Sequence, residues 1–451
     1  MPAYLSNVQI MRRNPSWTAP YTAIRHIGGR ERRADCCKRE INAVTLHSLK
    51  WNAMKRTVLI ILVSLLASTT VTMAQKMDKD HLNFSVSASG NHMLNALHIY
   101  ENLIDSYDFA SVSATVGVNT FPSDSNYFAW ACNLPRYGLG LSYSGMGGID
   151  CKPGSRLGDA YSFFGYGHID VVRTGIFSFG PSLHFGLSGM TRRWNAETNP
   201  MNLYVGTPVL VMIGVGLEAS FQLTPKWELG LTSMIMHRSN GMLKVPNYGL
   251  NDLSIGLFTR YNINERYCGH RGEKPQVPSY KKWIYDIYFS GGVHSCDPER
   301  HIYEDIVLQE GDQNRWKDSK SWLRLNLGGT VSYRYHPLFA TGVGLDVSYT
   351  GNWKRLAEYY ELKYGEKTTT CPVYVGAYLQ QSFFYKNVEI AVGLGVYLFK
   401  KLGVEDSTWN YQRALIRYHI PKAGNIFFGF AMRAHRFDRS DTLEFSFGKS
   451  F

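Results

Sequence analysis

The segment Met236-His237-Arg238-Ser239-Asn240-Gly241 sets an imidazole and a hydroxyl two residues apart. On a β-strand, side chains repeat with period two, so His237 and Ser239 share one face and come within hydrogen-bonding reach. An imidazole that takes the proton of a serine hydroxyl makes it a nucleophile for acyl transfer. The pair alone also reads as a polar strand end. Its surroundings strengthen the chemical reading, because Val245-Pro246-Asn247-Tyr248-Gly249 follows after three residues with the residue types of a tight loop.

Strands must position this pair, and the chain is rich in them. Sixteen segments with strand character recur from Leu82 to the C-terminus, among them Leu210 to Gln222, Trp227 to Met236, Leu253 to Tyr261 and Val388 to Phe399. In Val343-Gly344-Leu345-Asp346-Val347-Ser348-Tyr349 the apolar groups fall on one face and Gly, Asp and Ser on the other. Aromatics make up 14% of the chain and glycine numbers 42, a composition suited to the interfacial girdles and strand crossings of a transmembrane barrel. A secreted sandwich or propeller would share the glycine and tyrosine counts. In lipid every backbone polar group must pair internally, so strands that cross a bilayer must close on themselves. The expected fold is therefore all-β, one transmembrane antiparallel barrel over 75–451 with about 14 strands (range 12–16). The polar stretches 119–135, 189–206, 264–281, 297–320 and 351–370 read as its loops.

The ends of the chain agree with export. Residues 54–74 run from Met-Lys-Arg through the apolar stretch Val58–Ala67 to Met73-Ala74, the pattern of a secretory signal peptide cleaved after Ala74. The apolar stretch is too short for a spanning helix, which needs about twenty such residues. Residues 1–53 then read as an upstream extension, with translation starting at Met54. A basic cytoplasmic tail before an uncleaved anchor meets the objection of the short apolar stretch. Without the nine Lys/Arg and three Asp/Glu of 1–53, and without Lys55 and Arg56, the formal charge falls from +12 to about +4. The basic balance therefore gives no support to nucleic-acid binding. At the other end, Leu443-Glu444-Phe445-Ser446-Phe447-Gly448-Lys449-Ser450-Phe451 alternates and closes on an aromatic, like the terminal strand of outer-membrane proteins.

Other candidate chemistry is weaker. Seven cysteines reduce to five once Cys36 and Cys37 are set aside, an odd number that leaves at least one thiol outside any internal pairing. Cys268-Gly269-His270 and His294-Ser295-Cys296 have zinc-ligand types, but the strand Trp283 to Val293 separates them by roughly 36 Å at about 3.3 Å per residue. The same reasoning counts against a Cys132–Cys151 bridge. No metal and no organic cofactor is expected. The clusters Trp353-Lys354-Arg355 and Lys400-Lys401 read as solvated charges at barrel rims, with contact to lipopolysaccharide phosphates as the alternative.

Around His237 the chain resembles the lipid A deacylase, or acyloxyacyl hydrolase, family of outer-membrane barrels. The family pattern of His-x-Ser-Asn followed by Pro-Asn-x-Gly and an apolar residue is matched by His237, Ser239, Asn240, Pro246, Asn247, Gly249 and Leu250. The resemblance implies removal of an ester-linked acyl chain from lipid A, as by a lipid A 3-O-deacylase, in the bacterial outer membrane. It makes Ser239 the nucleophile, His237 the general base and Asn240 a donor to the oxyanion. The family's acidic residue that orients the histidine is replaced by Asn251, with Asp252 beside it. An amide oxygen can fix the imidazole tautomer, although it stabilises the imidazolium less than a carboxylate does. Neighbouring strand residues point to opposite faces, which favours Asn251 over Asp252. The chain is also longer than family members of roughly eight strands need, which suggests a wider barrel with a larger lumen. Two other functions compete with lipid A deacylation: a phospholipase acting on ordinary membrane lipids, and a non-catalytic barrel that keeps the motif as a vestige and has an open polar lumen. The lipid-facing wall is the expected place for His237 and Ser239. Oligomeric state is not legible.

Overall fold

The computed structural model describes residues 81–451 except 95–103, 105, 152–153, 267–268, 270, 296–319, 355–356, 358–360, 362–369, 402–407 and 436–438. The expected extension 1–53 and signal peptide 54–74 lie outside the described residues. So do Cys268, His270, Cys296 and Arg355.

Eight long strands form the first half: β1 (Leu82–Met93), β2 (Asp108–Val118), β3 (Arg136–Ser144), β4 (Ala160–His168), β5 (Phe177–Met190), β6 (Val209–Gln222), β7 (Trp227–Ser239) and β8 (Leu250–Asn262). Each pairs antiparallel with the next. β8 returns to β1, from Asn83↔Asn262 to Met93↔Asp252, and closes the ring.

A second set begins after residues 263–282: β9 (Trp283–Ser295), β10 (Ser321–His336), β11 (Phe339–Thr350), β12 (Val373–Tyr385), β13 (Val388–Phe399), β14 (Asn410–Ile420), β15 (Ile426–His435) and β16 (Arg439–Ser450). These close as a second barrel through β16 on β9. The expectation of one wide barrel of about 14 strands is thus corrected. All sixteen candidate segments are strands, but they form two rings of eight. Period two reports that a segment is a strand and is silent on which strand it returns to. That choice is made by long-range pairing, here Asn83 with Asn262 and Phe289 with Phe447.

An eight-stranded ring has an interior just wide enough for its own side chains. In the first ring Arg136, Glu218, Glu228, Arg260 and Arg266 form a buried ionic network, with Arg260 at 2.8 Å from Glu218 and 3.1 Å from Glu228. The second is filled by tyrosines and arginines, Tyr288, Tyr378 and Tyr411 packing against Arg413, Arg417 and Arg433. Each charge inside needs a partner because a lone buried ion is costly. Both lumens are therefore polar and occupied, in place of the large lumen anticipated from chain length.

The outward faces are apolar. Ile255 and Leu257 on β8 are 64% and 58% exposed, and Val343 and Leu345 on β11 are 61% and 57% exposed. Such an outside is insoluble in water and matched to hydrocarbon. Connections differ in length at the two ends. The rim holding the ends of β7, β9 and β11 carries long connections, among them the described residues 145–151, 154–159, 191–208 and 240–249. The opposite rim includes the tight turns 223–226, 337–338 and 386–387. In outer-membrane barrels the longer loops face outside the cell.

The rings meet at both rims. At the short-turn end the Tyr127 hydroxyl lies 3.2 Å from His336 Nε2, and Phe128 and Tyr137 pack edge-on against Tyr385. At the long-loop end Ser295 N–H donates to the Met242 carbonyl at 2.7 Å.

Candidate active site

β7 and β8 run side by side with His237 opposite Asn251. Along β7, Leu229, Leu231 and Ile235 point outward, and parity puts His237 and Ser239 on that face. Along β8, Asn251 shares the outward face with Leu253 and Ile255. The three polar residues therefore end an apolar stripe on the outer wall, at the rim with the long loops. A polar cluster further down the wall would be unpaired in hydrocarbon at a cost of several kcal/mol per group.

The three form one hydrogen-bonded chain. His237 Nδ1 lies 2.7 Å from Asn251 Oδ1, and His237 Nε2 lies 2.9 Å from Ser239 Oγ. A carbonyl oxygen only accepts, so Nδ1 carries the proton and Nε2 is left as the acceptor for the Ser239 hydroxyl. That is the tautomer in which an imidazole can deprotonate a serine. Asp252 occupies the other face, where it pairs with Arg238 and accepts from Asn91 Nδ2 at 2.9 Å. The neighbouring carboxylate is committed to the lumen, as alternation of side chains requires.

The loop 240–249 accounts for the remainder of the motif. Asn240 N–H donates to Asn247 Oδ1 at 2.9 Å, and Asn240 Nδ2 donates to the Lys244 carbonyl at 2.7 Å. Leu243 N–H donates to the Asn240 carbonyl at 3.2 Å. In this structure Asn240 serves to hold the loop together. It is 1% exposed and braces the loop from beneath, because the strand ends at Ser239 and the chain turns there. Gly249 has φ +73°, and a Cβ there would lie 3.2 Å from His237 Cε1 and 3.3 Å from Ser239 Cβ. The residue must be glycine on both counts, left-handed backbone and close approach. Sequence reasoning placed Gly249 in the motif without its role as the wall against the pair. Met242 and Val245 pack with Trp194 and Leu203 from the β5–β6 connection, and Tyr248 and Gly249 N–H groups donate to Leu203 and Tyr204 carbonyls at 3.2 Å.

The other candidates are dispersed. Cys132 lies between β2 and β3 and Cys151 between β3 and β4, at opposite ends of the first ring, so no bridge joins them. Burial pushes the Cys132 thiol up to about 11. His294 faces the lumen of the second ring, its Nδ1 2.5 Å from the Asp441 carbonyl. Among the described residues no group of His, Cys, Asp and Glu forms a metal site. Lys354 lies over the Trp353 ring at 5.4 Å and Lys400 over Tyr397 at 4.3 Å, both on the long-loop rim of the second ring.

Comparison with known proteins adds a family. Residues 283–451, the second ring, match the family model described as acyloxyacyl hydrolase, C-terminal domain. Among solved structures, the outer membrane enzyme PagL aligns at 16% identity and TM-score 0.25, over 40% of this chain and 99% of that one. Neisserial surface protein A aligns at 13% identity and TM-score 0.27, over 40% and 97%. The TodX monoaromatic hydrocarbon channel aligns at 9% identity and TM-score 0.15, over 82% and 88%. No curated protein matches the chain. The chain is thus a bacterial outer-membrane β-barrel protein whose second ring, residues 283–451, matches the acyloxyacyl hydrolase C-terminal domain model.

Proposed function

We propose that the first ring is a lipid ester hydrolase that removes an ester-linked acyl chain from lipid A. The observation that carries this reading is the outward chain Asn251–His237–Ser239, with both bonds under 3 Å, at the long-loop rim. Lipid A sits in the outer leaflet, so its ester linkages lie at the depth of such a rim. Ser239 Oγ attacks the ester carbonyl as His237 Nε2 takes its proton. The imidazolium formed is oriented by Asn251 and then gives the proton to the leaving alkoxide. Water, deprotonated by His237, releases the fatty acid from Ser239. No metal or organic cofactor takes part in these steps.

Asn251 supports orientation more than charge. A carboxylate in its place would stabilise the imidazolium, so turnover here is slower than the same geometry with an acid would give.

The test is the lipid A mass profile of outer membranes carrying the chain, compared with Ser239→Ala. Loss of one acyl mass in the first and not in the second supports the reading. Identical profiles from two folded proteins overturn it. Ser239-dependent release of fatty acid from phospholipid with lipid A untouched transfers the chemistry to ordinary membrane lipids.

A further inference from the structure

The half of the motif loop nearest Ser239 is fastened to the other ring. Met242 O accepts from Ser295 N–H at 2.7 Å, Val245 N–H donates to Ser295 Oγ at 3.3 Å, and Leu243 O accepts from Ser321 Oγ at 2.5 Å. Gly241, at φ +60°, passes so close that a Cβ there would lie 2.8 Å from Leu443 Cβ on β16. By contrast, Tyr248 and Gly249 are tied to Leu203 and Tyr204 of the first ring itself. Buried backbone groups need partners; Met242 and Val245, both buried, find theirs on Ser295 of β9, and the half-buried Leu243 finds its own on the exposed Ser321 of β10.

We propose that the second ring is a positioning half for the first, in which Ser295 and Ser321 clamp residues 241–245 and thereby set the place of Ser239. The proposal rests on the reading of Ser239 as nucleophile. Asn240 and Gly241 follow Ser239 directly, so a displaced loop moves the hydroxyl relative to His237 Nε2. Misplacement of reacting groups by about 1 Å can cost on the order of a hundredfold in rate. Ser295 and Ser321 touch neither substrate nor the reacting atoms in this scheme. They act through the loop.

The experiment uses the full chain in outer membranes and the double variant Ser295→Ala/Ser321→Ala, with Ser321→Thr as the conservative control. Folding is checked by heat-modifiable migration. Two quantities are read: the rate of Ser239-dependent acyl release, separated into kcat and KM, and tryptic cleavage after Lys244, which lies in the clamped segment. The expected result is a fall in kcat of about tenfold or more with KM little changed, together with faster cleavage at Lys244, while Ser321→Thr retains both wild-type values. Undiminished kcat in the folded double variant overturns the proposal, whatever the cleavage rate. Unchanged cleavage overturns it as well, since the two hydroxyl bonds of the clamp then hold nothing beyond the Ser295 N–H bond that alanine keeps. A wild-type chain without Ser239-dependent hydrolysis overturns the catalytic reading first and this one with it, an outcome distinct from the other two.

Discussion

The two rings have the same number of strands and the same up-and-down order, and they differ where the seventh strand hands over to the eighth. In the first, β7 and β8 are joined by a ten-residue loop, and the strand ends bring His237, Ser239 and Asn251 together. In the second, β15 and β16 are joined by three residues, and the facing positions are Ala434↔Ser440 and His435↔Arg439. His435 Nε2 lies 2.7 Å from the Tyr397 hydroxyl, a contact with β13. Residues 283–451 contain no His-x-Ser at all. Yet it is this ring that matches the acyloxyacyl hydrolase model. The match and the motif are thus separable: the ring that matches the model lacks the motif, and the motif resides in the ring outside the match. Fold carries no guarantee of chemistry, which belongs to particular side chains.

The sharpest way to break this comparison is to remove chemistry from one ring at a time. Ser239→Ala or His237→Ala is expected to lower kcat/KM for acyl release by about 10⁴-fold or more, while His435→Ala leaves it unchanged. Activity that survives the first pair and disappears with the third would reverse the assignment. Glycines sharpen the same contrast. Gly249→Ala, with its Cβ against His237 and Ser239, should cost about a hundredfold in kcat. Gly424→Ala, at nearly the same φ of +70° but with open space around it, should cost about 1 kcal/mol of stability and no activity. Thermal melting and acyl release, measured on both, separate local strain from damage to the site.

Asn251 offers a gain as well as a loss. Asn251→Leu removes the acceptor of His237 Nδ1 and is expected to reduce kcat by about a hundredfold, whereas Asn251→Asp should raise it by about tenfold by stabilising the imidazolium. An unaffected Leu variant would mean that the imidazole is oriented by something else. The smallest effect concerns thiols. With its pKa pushed up to about 11 by burial, Cys132 holds little thiolate at pH 8, so maleimide should modify the half-buried Cys371 of the second ring before Cys132. Mass spectrometry of labelled, folded protein reads the order directly.

The sequence made strands legible and hid closure. Alternation in Val343–Tyr349 or Leu253–Tyr261 needs only local information, and each is a strand with its apolar face outward. The pairing of β8 with β1 is set by sidewise fit across 159 to 179 residues of chain, from Asp252 with Met93 to Asn262 with Asn83, and leaves no local mark. The stretch 264–281 was readable as a loop but looked like any other, although it is the connection between rings. At the site, the spacing of His237 and Ser239 and the parity of Asn251 against Asp252 were readable because both follow from period two. The bracing of the loop by Asn240 leaves no mark in the sequence, because its partners Lys244 and Asn247 come to it only once the loop is folded.

The connection across residues 263–282 has a further bearing on how the rings stay together. Barrels that meet at their rims through a few hydrogen bonds and ring contacts would associate weakly as separate molecules and part when diluted in the bilayer. Joined in one polypeptide, the second ring is present at a local concentration on the order of millimolar, whatever the amount of protein made. Fastening of the loop at Ser295 and Ser321 is then independent of expression level, lateral diffusion and crowding in the membrane, a property that an assembly of two separate chains would lack.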